Sequence, residues 1–521
     1  MKSLVGLLGK SLVALCRVSL ILLASAFVFP SSAGAQAPKW AWTGGSNIPE
    51  QPGVYGTEYQ LAPSNVPGAR EAGATWTDLQ GKLWLFGGQG YDSAGNPGSL
   101  NDLWVFAPSQ GAHGEWAWVG GSDTVNASGV YGTEFKFAAS NAPGARDSSV
   151  TWTDREGRFW LFGGYGLDSS GSGGPLNDLW VFDRCKGEHG EWAWMGGTNT
   201  LDQLGVYGTE HRFAASNAPG ARWGAVSWTD ENGRLWLFGG AGYGSSGNED
   251  SLNDLWVFDP FAGVHGEWAW MGGSDTGEAE GAYGTEYQFA ASNAPGANWG
   301  AVGSTSPNGK LRLFGGYGLD SRGNLGDLDD LWVFDPTQGT NGEWEWIGGV
   351  DVNPSEAGDP GTYGTEGQFA ASNDPGSRQS ATTWTDRSGR LWLFGGFISI
   401  EPFEGFNDLW VFNPSEGANG EWAWMGGSET LDQPAVYGTE YQFAASNVPG
   451  ARWLAAGWTA PNGTLWLFGG LGNDSFGNPV ASNDLWELQV PSAGPSIIPA
   501  VESRKAVVSR KLGIIAATYG N

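Results

Sequence analysis

Four kinds of side chain in this sequence have the chemistry to hold a ligand, and each recurs at a regular place. Trp223, Trp299 and Trp453 directly follow Pro-Gly-Ala turns, as PGARW, PGANW and PGARW, where a flat indole can stack on a sugar ring or an apolar side chain. A Tyr-Gly-Thr-Glu motif begins at Tyr55, Tyr131, Tyr207, Tyr283, Tyr363 and Tyr437, with Glu210 as the acid of the third copy. An arginine follows five of the six copies, at Arg70, Arg146, Arg222, Arg378 and Arg452. A ring of Tyr, Glu and Arg can contact sugars or peptide. Equally, Glu and Arg can pair while Tyr packs the segment onto its unit, and six near-identical copies favour that architectural role.

Two further sets invite a metal reading. Asp92, Asp168, Asp320 and Asp474 begin DSxGN or a close variant. Calcium coordination of the EF-hand kind needs oxygens at alternate positions, and each loop supplies one carboxylate, so an Asx-type turn is the better reading. His113, His189 and His265 share one repeat position in AHGEW, EHGEW and VHGEW, but Asn341 and Asn419 stand there in two other copies, which favours a turn role over metal binding. There is no serine-nucleophile motif, zinc spacing or phosphate loop, so the sequence assigns no catalytic residue, no metal and no cofactor.

These residues are carried by a repeat. Gly-Gly pairs end at residues 88, 164, 240, 316, 396 and 470, spaced by 76, 76, 76, 80 and 74 residues. Each unit reads as four short strands; in the third copy these are RWGAVSWTD at 222–230, RLWLFGG at 234–240, LNDLWVFDP at 252–260 and GEWAWMGG at 266–273. Aromatic and β-branched runs bounded by Gly, Asp, Asn and Pro are strand signals, and four antiparallel strands per repeat make a propeller blade. The Trp pairs of the fourth strands, such as Trp268 and Trp270, are two residues apart and therefore face the same way, most simply into the contact between blades. Apart from Trp223, Trp299 and Trp453, every Trp of the chain falls on such a strand.

LWLFGG, then NDLWVF, then GEWAW resembles the Kelch repeat over almost the whole chain after residue 35. Kelch units are about 50 residues long and these are longer, the excess lying between GEWAWMGG and PGAR. The resemblance implies an all-β fold, a six-bladed β-propeller of four-stranded antiparallel blades. KWAWTGG at 39–45 is a fourth strand without its first three, and SNDLWELQV at 482–490 is a third strand without its fourth, so the N-terminal strand closes the last blade. The strand 2–3 loops and the long insertions are expected to crowd one face, with short turns on the other. Galactose oxidase carries Kelch-like repeats, and likeness to it would imply a copper site of two Tyr, two His and a Cys crosslinked to one Tyr. Here Cys185 lies in the short turn DRCKGEHG and His211 is the sole histidine of an insertion, so that site is not assembled.

The fourth and fifth units break the pattern. Ser304 and Arg312 replace two strand tryptophans, Asn298 replaces the arginine, and ISIEPFEGF at 398–406 replaces the DSxGN loop; such departures are candidate specificity sites.

At the ends, residues 1–35 read as a secretory signal peptide, with Lys2, Lys10 and Arg17 before an apolar run and Ala33-Gly34-Ala35 as the cleavage region. Residues 36–490 form the propeller and 491–521 a tail. Cys185 is then the single cysteine of the mature chain, so no intramolecular disulfide is available. The net charge of -29 disfavours nucleic acid, whose binding depends on Lys and Arg replacing counterions. The sequence therefore predicts a secreted or periplasmic monomer without a membrane span in its mature form, a noncatalytic scaffold binding an extracellular glycan or protein. Its expected contacts are Trp223, Trp299, Trp453, Tyr207, Glu210, Arg222, Tyr283, Tyr437 and Arg452. The alternatives are a copper radical oxidase-like enzyme and a structural component of the cell envelope.

Overall fold

The computed structural model describes residues 37–353, 358–399, 404–473 and 479–490. The signal peptide, the tail, Asp474 and part of the fifth unit's divergent loop lie outside them. Every regular element among the described residues is a β-strand, and six sheets hold four or more strands each. The strands are antiparallel and follow chain order, the arrangement of a β-propeller. In the first sheet Ala74–Thr77 pairs with Leu83–Tyr91, that strand with Pro97–Ala107, and the latter with Glu115–Gly120. The sixth sheet joins the two ends of the described residues. Lys39–Gly44 pairs with Leu485–Gln489, Lys39 standing opposite Gln489 and Trp42 opposite Trp486.

The inner strands follow one another around an axis, each beside the next and the last beside the first. At one end of that axis six backbone hydrogen bonds form a cycle. Ser148 N–H donates to Ala72 (3.0 Å), Gly224 to Ser148 (3.0 Å), Gly300 to Gly224 (2.9 Å), Ser380 to Gly300 (2.7 Å), Leu454 to Ser380 (2.9 Å) and Ala72 to Leu454 (2.8 Å). All six residues have positive φ, although only two are glycine; Leu454 sits at 54°. A left-handed conformation costs a residue with a Cβ roughly 1–2 kcal/mol, so the cycle holds its turns against strain. Beyond it lies an axial cavity of about 380 Å³ walled by threonines such as Thr77, Thr153 and Thr385. Several of its hydroxyls donate to a neighbouring sheet's carbonyl, as Thr151 does to Thr75 (3.0 Å).

Aromatic packing between adjacent sheets forms the core. Trp116 lies 5.5 Å from Phe468, and Trp76 stacks on Phe159 at 5.4 Å while its indole N–H reaches the Trp160 carbonyl (3.1 Å). Burying an indole of 150–250 Å² contributes up to about 4–6 kcal/mol. The second Trp of each fourth strand is only half-buried. Trp118 faces Tyr55 of the insertion edge-on at 5.3 Å.

The insertions do not stay on one face. Each runs along the outer edge of its own sheet, where a fourth strand would otherwise present unpaired backbone groups. Tyr59 and Ala62 N–H donate to the Trp118 and Trp116 carbonyls (2.7 and 3.2 Å), and Asn65 Nδ2 adds a bond to Trp116 O (3.1 Å). The second, third and fourth sheets repeat this cover, with Ala138, Ala214 and Ala290 bridging Trp192, Trp268 and Trp344.

Candidate functional site

The repeated Tyr and Arg converge inside each sheet rather than on its surface. Their common partner is the aspartate of NDLW, not the glutamate of YGTE. In the third sheet Arg222 grips Asp254 with both Nη atoms (2.5 and 2.8 Å), Tyr207 donates to Asp254 Oδ2 (2.6 Å) and Trp256 Nε1 to the same oxygen (2.7 Å). Arg222 is 1% exposed and Asp254 0%. A charge taken out of water needs such a set of bonds, and this one ties the insertion, the first strand and the third strand together. Arg452 and Tyr437 hold Asp484 in the sixth sheet in the same way. Tyr283 donates to Asp330 (2.8 Å). Burial and these bonds take Tyr207, Arg222, Tyr283 and Arg452 out of reach of a ligand, and commit the hydroxyl of the half-buried Tyr437 as well.

Glu210 is exposed, but on the outer edge beside His211 (3.7 Å), away from the axis. Trp453 is 3% exposed and packs on Phe397 at 5.0 Å, with Gly405 close against its ring. Trp223 and Trp299 alone of the nine expected contacts come together in the open. Their rings are 4.9 Å apart and half-exposed, and Tyr317 continues the surface 5.6 Å from Trp299.

The column these tryptophans occupy immediately precedes the axial hydrogen-bond cycle. Its six members, Glu71, Asp147, Trp223, Trp299, Gln379 and Trp453, surround the axis end. Glu71 and Asp147 are therefore residues that the sequence reading, which selected only the tryptophans of this column, did not name among the expected contacts. Burial, and then the neighbouring Asp147 carboxylate, push Glu71 up to about 7. Burial raises Asp147 to about 6 against the opposing hydrogen bond from Ser148 (3.0 Å). Trp223 Nε1 donates to Glu249 (3.2 Å) on the adjoining hairpin. The axis end thus carries two carboxyl groups that titrate near neutral pH on one side and an aromatic surface on the other. Gln379, Phe397 and Trp453 fill the rest.

The remaining candidates serve the fold. Asp92, Asp168 and Asp320 close Asx-type turns; Asp92 Oδ1, for example, accepts from the Ala94 and Asn96 amides (2.9 and 2.8 Å). His189, His113 and His265, on the short turns before the fourth strands, each stack on an aromatic ring of a neighbouring sheet's insertion, Tyr59, Tyr441 and Phe135, at 3.6–3.8 Å. Cys185 is exposed on a short turn. The histidines thus stand on separate sheets at the outer edge, and neither they nor Cys185 compose a copper donor set with paired tyrosines.

No helix of the described residues is long and apolar enough to cross a membrane. No protein-family model matches the chain, and no curated protein matches it. Among solved structures it is similar to the structure of YjhT, with a TM-score of 0.45 and 16% identity over 81% of this chain and 95% of that one. It is also similar to a novel fungal alcohol oxidase of the AA5 family in complex with copper, with a TM-score of 0.42 and 13% identity over 83% of this chain and 76% of that one. Neither likeness is close enough to transfer a ligand or a reaction.

Proposed function

We propose that residues 36–490 are a six-bladed Kelch-type propeller, its last blade closed by the N-terminal strand, that acts as a noncatalytic glycan-binding scaffold. The signal-like N-terminus supports a secreted or periplasmic protein. The observation that carries the binding reading is the half-exposed Trp223–Trp299 pair beside Glu71 and Asp147 at the axial end. Indole faces stack on the apolar faces of sugar rings, and carboxyl groups accept or donate hydrogen bonds to hydroxyls.

The test is calorimetric titration of the mature protein with soluble oligosaccharides of neutral, basic and acidic classes. Binding by one class, weakened about tenfold or more by Trp223→Ala and Trp299→Ala at unchanged melting temperature, is the expected result. A panel without binding, or affinity indifferent to both substitutions, overturns the reading. Elemental analysis of the same sample addresses the oxidase alternative: stoichiometric copper would move the assignment there. The scattered histidines are the reason the scaffold reading is preferred.

A further inference from the structure

The fourth unit departs from its five siblings in a second way, outside the axial ring. Where the other sheets carry the asparagine of NDLW, at Asn101, Asn177, Asn253, Asn407 and Asn483, this one carries Asp329. In the siblings that asparagine works with both ends. Asn253 Oδ1 accepts the Ser274 amide (2.9 Å) while its Nδ2 donates to the Pro295 carbonyl of the next insertion (3.2 Å), and Asn101 and Asn177 repeat the pattern. Asp329 keeps the first bond, from Val350 N–H (3.0 Å), but offers a second oxygen where the siblings offer an NH2 group. Its Oδ2 is buried without a hydrogen-bond partner, and the residue is 1% exposed.

Two more carboxylates meet it from the insertion that follows. Asp374 stands where the siblings have Val66, Ala142, Ala218, Ala294 and Val448, and Asp359 belongs to the insertion that lengthens this repeat to 80 residues. One oxygen from each of Asp329, Asp359 and Asp374 lies within 4.8 Å of the others. Each carboxylate is already aimed by the backbone: Asp359 Oδ1 accepts the Gly361 amide (2.7 Å) and Asp374 Oδ1 the Gly376 amide (2.9 Å). The adjacent Asp330 is buried without the arginine that neutralises its counterpart in every other sheet, because Asn298 stands there. Burial and the surrounding carboxylates, Asp374 foremost, hold Asp329 well above the usual carboxylate range. The cation that acts on the cluster, Arg378, is committed to Asp408 and only partly offsets the rise that burial imposes on Asp374.

We infer that Asp329, Asp359 and Asp374 form a calcium site that ties the third strand of the fourth sheet to the insertion leading into the fifth. The donor set is all oxygen and anionic, as a hard cation requires. Calcium, which takes six to eight oxygens at 2.3–2.6 Å in flexible geometry, suits carboxylates fixed within 4.8 Å of one another by backbone bonds better than magnesium, which demands near-ideal octahedral geometry and dehydrates reluctantly. Three protein carboxylates leave room for water to complete a shell of six to eight. The site is independent of the glycan reading, since none of its three carboxylates belongs to the axial ring of Glu71, Asp147, Trp223, Trp299, Gln379 and Trp453.

The test compares the full chain with Asp329→Asn and Asp374→Ala, which restore residues the sibling sheets already carry and so are expected to fold. After chelation, calcium is expected to raise the wild-type melting temperature and bind one equivalent in calorimetry, with a Kd of about 10⁻⁴ M or tighter, in or below the range of extracellular modules. Both variants are expected to melt higher than wild type in chelator and to lose the calcium response at least tenfold. Absence of a calcium response in wild type, an equal response to magnesium, or a calcium response undiminished in both variants would each overturn the assignment. A wild-type melting temperature that rises only on acidification, with no calcium effect, would do so too, and would identify a proton shared between Asp329 and Asp374 instead.

Discussion

The third and fourth sheets share one backbone pattern and treat the same buried aspartate in opposite ways. In the third, Asp254 receives four hydrogen bonds from Arg222, Tyr207 and Trp256, and the charge is matched inside the fold. In the fourth, Asp330 keeps Tyr283 and Trp332 but faces Asn298. Burial then pushes Asp330 up to about 6, partly offset by the hydrogen bonds from Trp332 and Tyr283. The scaffold thus tolerates an unmatched acid in one copy because the other copies carry the fold, and that copy becomes free to acquire a new role.

Exchanging the two residues tests the comparison most severely. Arg222→Asn gives the third sheet the fourth sheet's residue and is expected to lose about 3–5 kcal/mol, the cost of leaving a buried charge without its partner, in a guanidinium unfolding titration. Asn298→Arg is expected to change stability with the opposite sign, a gain of about 1–2 kcal/mol from a charged hydrogen bond regained. A loss of similar size in both variants would mean that the fourth sheet has repacked around its asparagine and the comparison fails.

The pH response sharpens it further. Asp330, Asp147 and Glu71 all have folded values above the ordinary range near 4, so the fold binds protons that the unfolded chain has released. Their contribution is fully present below about pH 4 and is lost as pH rises through 6 to 7. Melting temperature is therefore expected to fall across that window, and Asp330→Asn to flatten the fall without the broad loss expected of Asp254→Asn. The smallest effect is expected at the outer edge. His189→Ala removes one stacked pair with Tyr59 and is expected to cost about 0.5–1.5 kcal/mol, read by the same titration.

Much of this was legible in the sequence because repetition separates role from accident. The four strands, the pairing of the two ends and the interior role of most tryptophans follow from columns that recur. What spacing could not give was the partner of each arginine, since the YGTE glutamate and the NDLW aspartate recur equally faithfully and only the fold brings Asp254, 32 residues on, against Arg222. The path of the insertions was missed for a related reason: outer-edge strands need cover, but nothing local to residues 45–69 says which strand they cover. At the site, reading by residue type selected Trp453, which is buried, and passed over Glu71 and Asp147, which share its column. Asp359 and Asp374 were invisible in the same way, standing 30 and 45 residues from Asp329 with only the inter-sheet closure to join them. Asn298 was legible as a departure, and it lies in the same sheet as Asp329.

The cycle of six amides at the axis end carries a consequence for how the molecule opens. Each sheet donates one link and accepts another, so loosening any one sheet exposes two amides on opposite sides of it. In deuterium exchange the amide protons of Ala72, Ser148, Gly224, Gly300, Ser380 and Leu454 should consequently behave as a single clock: although they are spread over more than 380 residues of chain, they exchange together, at the rate at which the closed circle first becomes a line.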